Sequence, residues 1–149
     1  MEYLIIIFVV ALALAPLSHF VPNKQQRKVA RLREYAALNG LFVEFREVPG
    51  ADALAVVAGT PHTIYYGKRV RARQNGPQSR LVWRSTAEGW IGRPRRLSVP
   101  EELSSLPTGL LAASADQDSC GVYWQERGDE GEIDRICAVL DALVANLYQ

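Results

Sequence analysis

Few side chains in this 149-residue chain belong to the types that make or break bonds. His62, Cys120 and Cys137 are the candidates for nucleophilic work. In a His62–Cys120 pair the imidazole would draw the proton from the thiol, and a third residue would have to orient the imidazole. The spacing supplies no such third residue. Neither a Gly-x-Ser-x-Gly elbow nor a phosphate-cradling glycine loop is present. Asp116 and Asp118 resemble the opening of a calcium loop, but the glycine and the distant glutamate needed at fixed offsets are missing. The two cysteines form no CxxC and no Cys/His cluster, so the expectation is two free thiols in a reducing compartment. No catalytic residue, metal or cofactor is assigned.

Binding chemistry is better represented. His62 to Arg73 alternates as a strand, with Ile64, Tyr66, Lys68, Val70 and Ala72 on one face. Tyr65, Arg69, Arg71 and Arg73 take the other face. Gln74-Asn75-Gly76-Pro77-Gln78 then turns the chain back into a strand from Ser79 to Thr86, with Arg80, Val82 and Arg84 on one side. If the two strands pair, Arg69, Arg71, Arg73, Arg80 and Arg84 share a face. Like charges opposed on a sheet destabilise it, so such a cluster either splays into water or meets something anionic. A one-residue slip in register would reverse the arrangement. A second basic group, Lys24, Arg27, Lys28 and Arg31, lies on a predicted helix from Lys24 to Leu38. The plain expectation is a solvated sheet face and, for the helix, a topology signal whose apolar stripe packs on the domain. Where either group does meet an anion, lipid headgroups are the best candidate, at about 1 kcal/mol per basic residue near such a surface. Nucleic acid is disfavoured, because there is no RNA-binding strand motif and no zinc spacing.

The element expected to position these groups is the apolar run at the N-terminus. From Tyr3 to Val21 it covers 19 residues without a formal charge. As helix that is roughly 28 Å, against a hydrocarbon core of roughly 30 Å. A cleaved signal peptide would want basic residues before the run, and a buried core helix would not need to be apolar all round. The expectation is a transmembrane anchor over residues 1–22. Lys24, Arg27, Lys28, Arg31 and Arg33 follow the run and no Lys or Arg precedes it. That asymmetry predicts a single-pass protein of the bacterial inner membrane, N-terminus out and C-terminal domain cytoplasmic. The remaining charge is uneven. Up to Arg96 there are 15 Lys and Arg against 6 Asp and Glu, and beyond it 2 against 10.

The other elements follow from period and punctuation. Residues 23–40 read as a basic juxtamembrane helix closed by Asn39-Gly40. Residues 41–149 read as one cytoplasmic α+β domain with strands at Leu41–Val48, Leu54–Ala58, His62–Arg73 and Ser79–Thr86. Shorter strands are expected at Trp90–Gly92, Gly109–Ala113 and Cys120–Gln125, with a short helix after Pro100. Asp129 and Glu132 make a capping-box-like start to a last helix. Its stripe is Ile133, Ile136, Cys137, Leu140, Leu143, Val144 and Leu147. Cys137 is therefore read as core packing. Strands joined by tight turns favour an antiparallel sheet. A bent sheet packed by a C-terminal amphipathic helix looks like the pleckstrin-homology-type barrel.

An apolar N-terminus followed by Pro22-Asn23-Lys24-Gln25-Gln26-Arg27-Lys28 is similar to the YajC subunit of the bacterial preprotein translocase. The chain also resembles uncharacterised single-pass inner-membrane proteins of gammaproteobacteria, some labelled YajC-like. The likeness lies in residues 1–35. It implies one membrane helix, a small cytoplasmic domain and an accessory role in an inner-membrane assembly. The expected function is thus a non-enzymatic, membrane-anchored interaction domain with the lipid bilayer and a membrane protein as partners. The alternative is a surface module whose arginine-rich sheet face binds anionic lipid headgroups.

Overall fold

The computed structural model describes residues 1–15, 23–50, 63–71 and 76–148. The chain divides into two units, Met1–Arg31 and Leu32–Gln149. The division falls within Lys24–Leu38, which form one helix.

In the first unit, helix α1 runs from Glu2 to Leu14, 13 residues that are apolar on every side. None of them is buried, and its large apolar side chains are 50–80 % exposed. At about 1.5 Å per residue the helix is roughly 20 Å long, well short of a bilayer's hydrocarbon core. No helix among the described residues is long and apolar enough to cross a membrane. This corrects the expected transmembrane anchor over residues 1–22. The single-pass, inner-membrane, N-terminus-out placement rested on that anchor and is withdrawn with it. The apolar pattern continues in sequence to Val21, but residues 16–22 lie outside the described ones.

Helix α2 spans Lys24–Leu38. Asn23 caps it weakly, its side chain accepting from the Gln25 N–H at 3.4 Å. In the second unit, Leu32 and Ala36 of α2 are buried. Six strands follow: β1 Phe42–Glu44, β2 Ile64–Arg69, β3 Leu81–Thr86, β4 Gly89–Arg93, β5 Leu110–Ala115 and β6 Ser119–Trp124. A 3₁₀ turn, Glu101–Ser105, separates β4 from β5. The last helix, α3, covers Glu130–Leu147. Its cap is Asp129, whose side chain accepts the Glu132 N–H at 3.2 Å. Ile133, Ile136, Val139, Leu140 and Leu143 are its buried residues, and Cys137, Val144 and Leu147 of the expected stripe are only partly buried.

All strands pair antiparallel in one sheet, in the order β1-β2-β6-β5-β3-β4. The expected hairpin between β2 and β3 does not form, because β6 and β5 lie between them. Among the described strands the meander needed for a pleckstrin-homology-type barrel does not form, and β1 and β4 lie at the edges of this order. The first expected strand shrinks from Leu41–Val48 to three residues. The one expected at Leu54–Ala58 lies outside the described residues. One face of the sheet carries Tyr66, Trp83, Val122 and Trp124, which cluster with α2 and α3 residues as the main core. The other face carries a second, smaller cluster built on Tyr65, Ala112 and Tyr123.

Candidate anion-binding site

Cross-strand register fixes which side chains share that second face, since directly opposed residues point the same way. One row crosses the whole sheet: Glu44, Tyr65, Tyr123, Ala112, Arg84 and Ile91. The next row is Phe42, Gly67, Gly121, Ser114, Val82 and Arg93. Two neighbouring glycines thus sit beside two neighbouring tyrosines.

That juxtaposition shapes the surface. A Cβ on Gly67 would lie 2.5 Å from both the Tyr65 and the Phe42 rings. On Gly121 it would lie 2.5 Å from the Tyr65 ring. The Tyr65 ring therefore lies down over both glycines instead of standing up from the sheet. Its centroid is 5.0 Å from Tyr123 and 5.8 Å from Phe42, a tilted aromatic group. The Arg46 guanidinium covers its upper face at 4.2 Å, a cation–π distance. Sheet backbone, tyrosine ring and guanidinium form three layers, and Tyr65 ends with no exposed surface. Glu44 holds Arg46 from the side at 2.8 Å. Arg69 lies 5.4 Å over Phe42, and Arg80 donates to the Tyr123 hydroxyl.

Between Arg46 and Arg80 opens a polar cleft of about 400 Å³, lined also by Gln78, Asp116, Asp118 and Ser119. Asp116 is committed to the β5–β6 turn. Its Oδ1 accepts the N–H groups of Asp118 (3.1 Å) and Ser119 (2.9 Å) and the Ser119 hydroxyl (3.1 Å). Tyr148 donates its hydroxyl to the Asp116 and Ser119 carbonyls and braces the same turn. Each arginine keeps N–H groups beyond those in use, and a guanidinium fork matches the oxygens of a phosphate or carboxylate.

The sequence-predicted residues are distributed as follows. Lys24, Arg27, Lys28 and Arg31 lie on one exposed stripe of α2, at i, i+3, i+4 and i+7, in the first unit. Arg69 and Arg84 share the outer sheet face, but their strands are three spacings apart, roughly 14 Å. Arg71 is exposed just past β2, and Arg80 precedes β3. Arg84 donates to the Gly50 carbonyl at 2.8 Å. Arg73 lies outside the described residues. Among the described residues none of Arg69, Arg71, Arg80 and Arg84 has a carboxylate partner. Arg46 and the Phe42–Tyr65–Tyr123 group were not among the expected contacts. The signal for Tyr65 was its shared parity with Arg69; Arg46 carried none, because it lies past the end of a strand read too long.

No family model, curated protein or solved structure matches this chain. The YajC-like likeness of residues 1–35 rests on the sequence alone, and the site has to be interpreted from its own chemistry.

The nucleophile candidates lie elsewhere. Cys120 faces the core beside Val122 and Trp124, and burial, then Asp116, pushes its thiol up to about 12. Such a group stays protonated at neutral pH and is a poor nucleophile. Both cysteines are free, and His62 lies outside the described residues. Among those residues, no three His, Cys, Asp or Glu side chains group as a metal site.

Burial also pushes the Tyr65 hydroxyl up to about 12 and raises those of Tyr66 and Tyr148. This sets an alkaline limit. From about pH 9, where an ordinary thiol titrates, to about pH 12, the unfolded chain releases protons that the folded chain keeps. These groups add no pH dependence below that window and lower stability through it, by up to about 1.4 kcal/mol per pH unit for each such group. Urea midpoints measured from neutral pH upward should be level to about 9 and then drop. A Cys120→Ala variant should begin its drop later, nearer the tyrosine range.

Proposed function

We propose that this chain is a non-enzymatic binding domain whose outer sheet face takes an anionic, phosphate-bearing ligand. The observation that carries the reading is the three-layer stack of glycine backbone, Tyr65 and Arg46 at the mouth of the Arg80 cleft. An arginine pinned on a ring has lost most of its side-chain freedom before the ligand arrives, so little entropy remains to be lost on binding. The cleft is of the size that small ligands occupy.

Titrating the full chain with inorganic phosphate, followed by NMR of the arginine side-chain N–H signals, tests it. The Arg46 and Arg80 signals should move and saturate, and the affinity should fall with added salt. Arg46→Ala should weaken binding about tenfold, the scale of one lost charge-assisted hydrogen bond. Signals that stay still, or an unaltered affinity in Arg46→Ala, would defeat the proposal. Vesicles of phosphatidylcholine with and without phosphatidylglycerol separate a headgroup from a free phosphate as the source.

A protein partner is the second reading. It is favoured by Leu38 and Phe45, large apolar side chains of the second unit that are 82 % and 76 % exposed. Changing both to serine should release a co-purifying protein and leave phosphate binding intact. Retention of that protein would count against an apolar anchor at those positions.

A further inference from the structure

The cleft's walls carry both signs of charge. Arg46 and Arg80 stand with Asp116 and Asp118 around one volume of about 400 Å³. A purely anionic ligand drawn to the arginines meets the carboxylates as well, and like charges at such range repel. The two aspartates differ in what they have left to offer. Asp116 spends Oδ1 on three donors and its own carbonyl accepts from Tyr148. Asp118 gives its backbone N–H to that turn and its carbonyl accepts the Val70 N–H at 2.9 Å, while its residue is exposed. No arginine or lysine among the described residues pairs with the Asp118 carboxylate.

From this asymmetry we infer that the ligand is zwitterionic, with its phosphate held by Arg46 and Arg80 and a primary ammonium group held by Asp118. The inference rests on the anion-binding reading above and adds the second charge. An ammonium supplies the donors a carboxylate lacks, while a quaternary amine supplies none. Phosphoethanolamine is thus a better fit than phosphocholine or inorganic phosphate. The assignment also gives Asp118 a role as specificity determinant, distinct from the turn-building role of Asp116.

The test compares inorganic phosphate, phosphocholine and phosphoethanolamine on the full chain and on two variants. Phosphoethanolamine should bind the native chain tightest, by roughly fivefold, the upper scale of one exposed charge pair. Asp118→Asn keeps the backbone donor of the turn and so should fold normally. It should erase the preference while leaving inorganic phosphate as tight as before or tighter. Asp118→Lys should reverse the order. Equal affinities for the three compounds on the native chain would overturn the inference and leave the anion site standing. Binding of none of them would overturn the anion-binding reading itself. Vesicles containing phosphatidylethanolamine, run beside soluble phosphoethanolamine, tell a lipid headgroup from a free metabolite.

Discussion

Replacing Arg33 by alanine is expected to lower the stability of the folded chain by about 3 kcal/mol. The reason lies in Glu126, whose side chain is only 6 % exposed. Both of its oxygens are engaged. Oε1 accepts from Arg33 Nε and from the Tyr66 hydroxyl, each at 2.7 Å, and Oε2 accepts from Arg33 Nη2 at 2.8 Å. This is a bidentate, charge-assisted pair, the strongest geometry available to an arginine. It ties α2 to the segment that follows β6. Without Arg33 the carboxylate keeps one neutral donor in a site that water scarcely reaches. Glu126 also holds a left-handed backbone, with φ of 55°, a conformation costing about 1–3 kcal/mol for such a residue. The pair is what keeps it there.

A second expectation separates burial of charge from mere loss of contact. Removing both partners, as Arg33→Met with Glu126→Leu, should cost less than the two single changes added together. No charge is then stranded. The coupling should be about 2 kcal/mol, reduced from the fully buried limit because the Arg33 side chain is 34 % exposed. Urea midpoints at constant m-value give each corner of the cycle. Strict additivity would mean that Glu126 is solvated and that the pair contributes no more than a surface bridge. A loss of this size matters for a domain whose whole stability is about 5–15 kcal/mol.

How much of this was legible beforehand differs by element. Helix α3 was largely readable, because its stripe and its Asp129 cap are local signals, although buried Val139 lay outside the expected stripe and Cys137, Val144 and Leu147 within it are only partly buried. Strand faces were readable too, since the two-residue period alone puts Tyr65 with Arg69 and Tyr66 with Lys68. Strand neighbours were not. The turn at Gln74–Gln78 suggested that β2 pairs with β3, but β2 pairs with β6, from Arg69 opposite Ser119 to Ile64 opposite Trp124, far along the chain. No local pattern encodes that choice. The apolar run misled for a related reason: hydropathy counts residues that suit lipid, whereas the described helix ends at Leu14. The site was half legible. Its arginines showed as an alternating series, but its platform depends on two glycines brought side by side by the unseen β2–β6 pairing. In sequence each glycine reads only as a weak point of a strand.

Those glycines yield the prediction that joins fold to binding. Gly121→Ala should destabilise the domain by about 3 kcal/mol, at the upper end of overpacking costs. Its new methyl would lie 2.5 Å from the Tyr66 carbonyl oxygen as well as 2.5 Å from the Tyr65 ring. The carbonyl belongs to the β2 backbone and cannot turn aside. For Gly67→Ala the nearest atoms belong to the rings of Phe42 and Tyr65, which can tilt, so about 1 kcal/mol is expected. Both changes lift Tyr65 from the sheet, and Arg46 then loses the surface it stacks on. Phosphate affinity should accordingly fall about tenfold in Gly67→Ala even though that variant stays folded, as it should in Tyr65→Ala. Tyr65→Phe is the control: it keeps the ring and gives up the hydroxyl, whose contact with the Ser119 hydroxyl is 3.4 Å, too long to contribute much. Binding should survive it. If Gly67→Ala folded and bound phosphate as the native chain does, Arg46 would not need the ring beneath it, and the site would reduce to two surface arginines whose geometry nothing enforces.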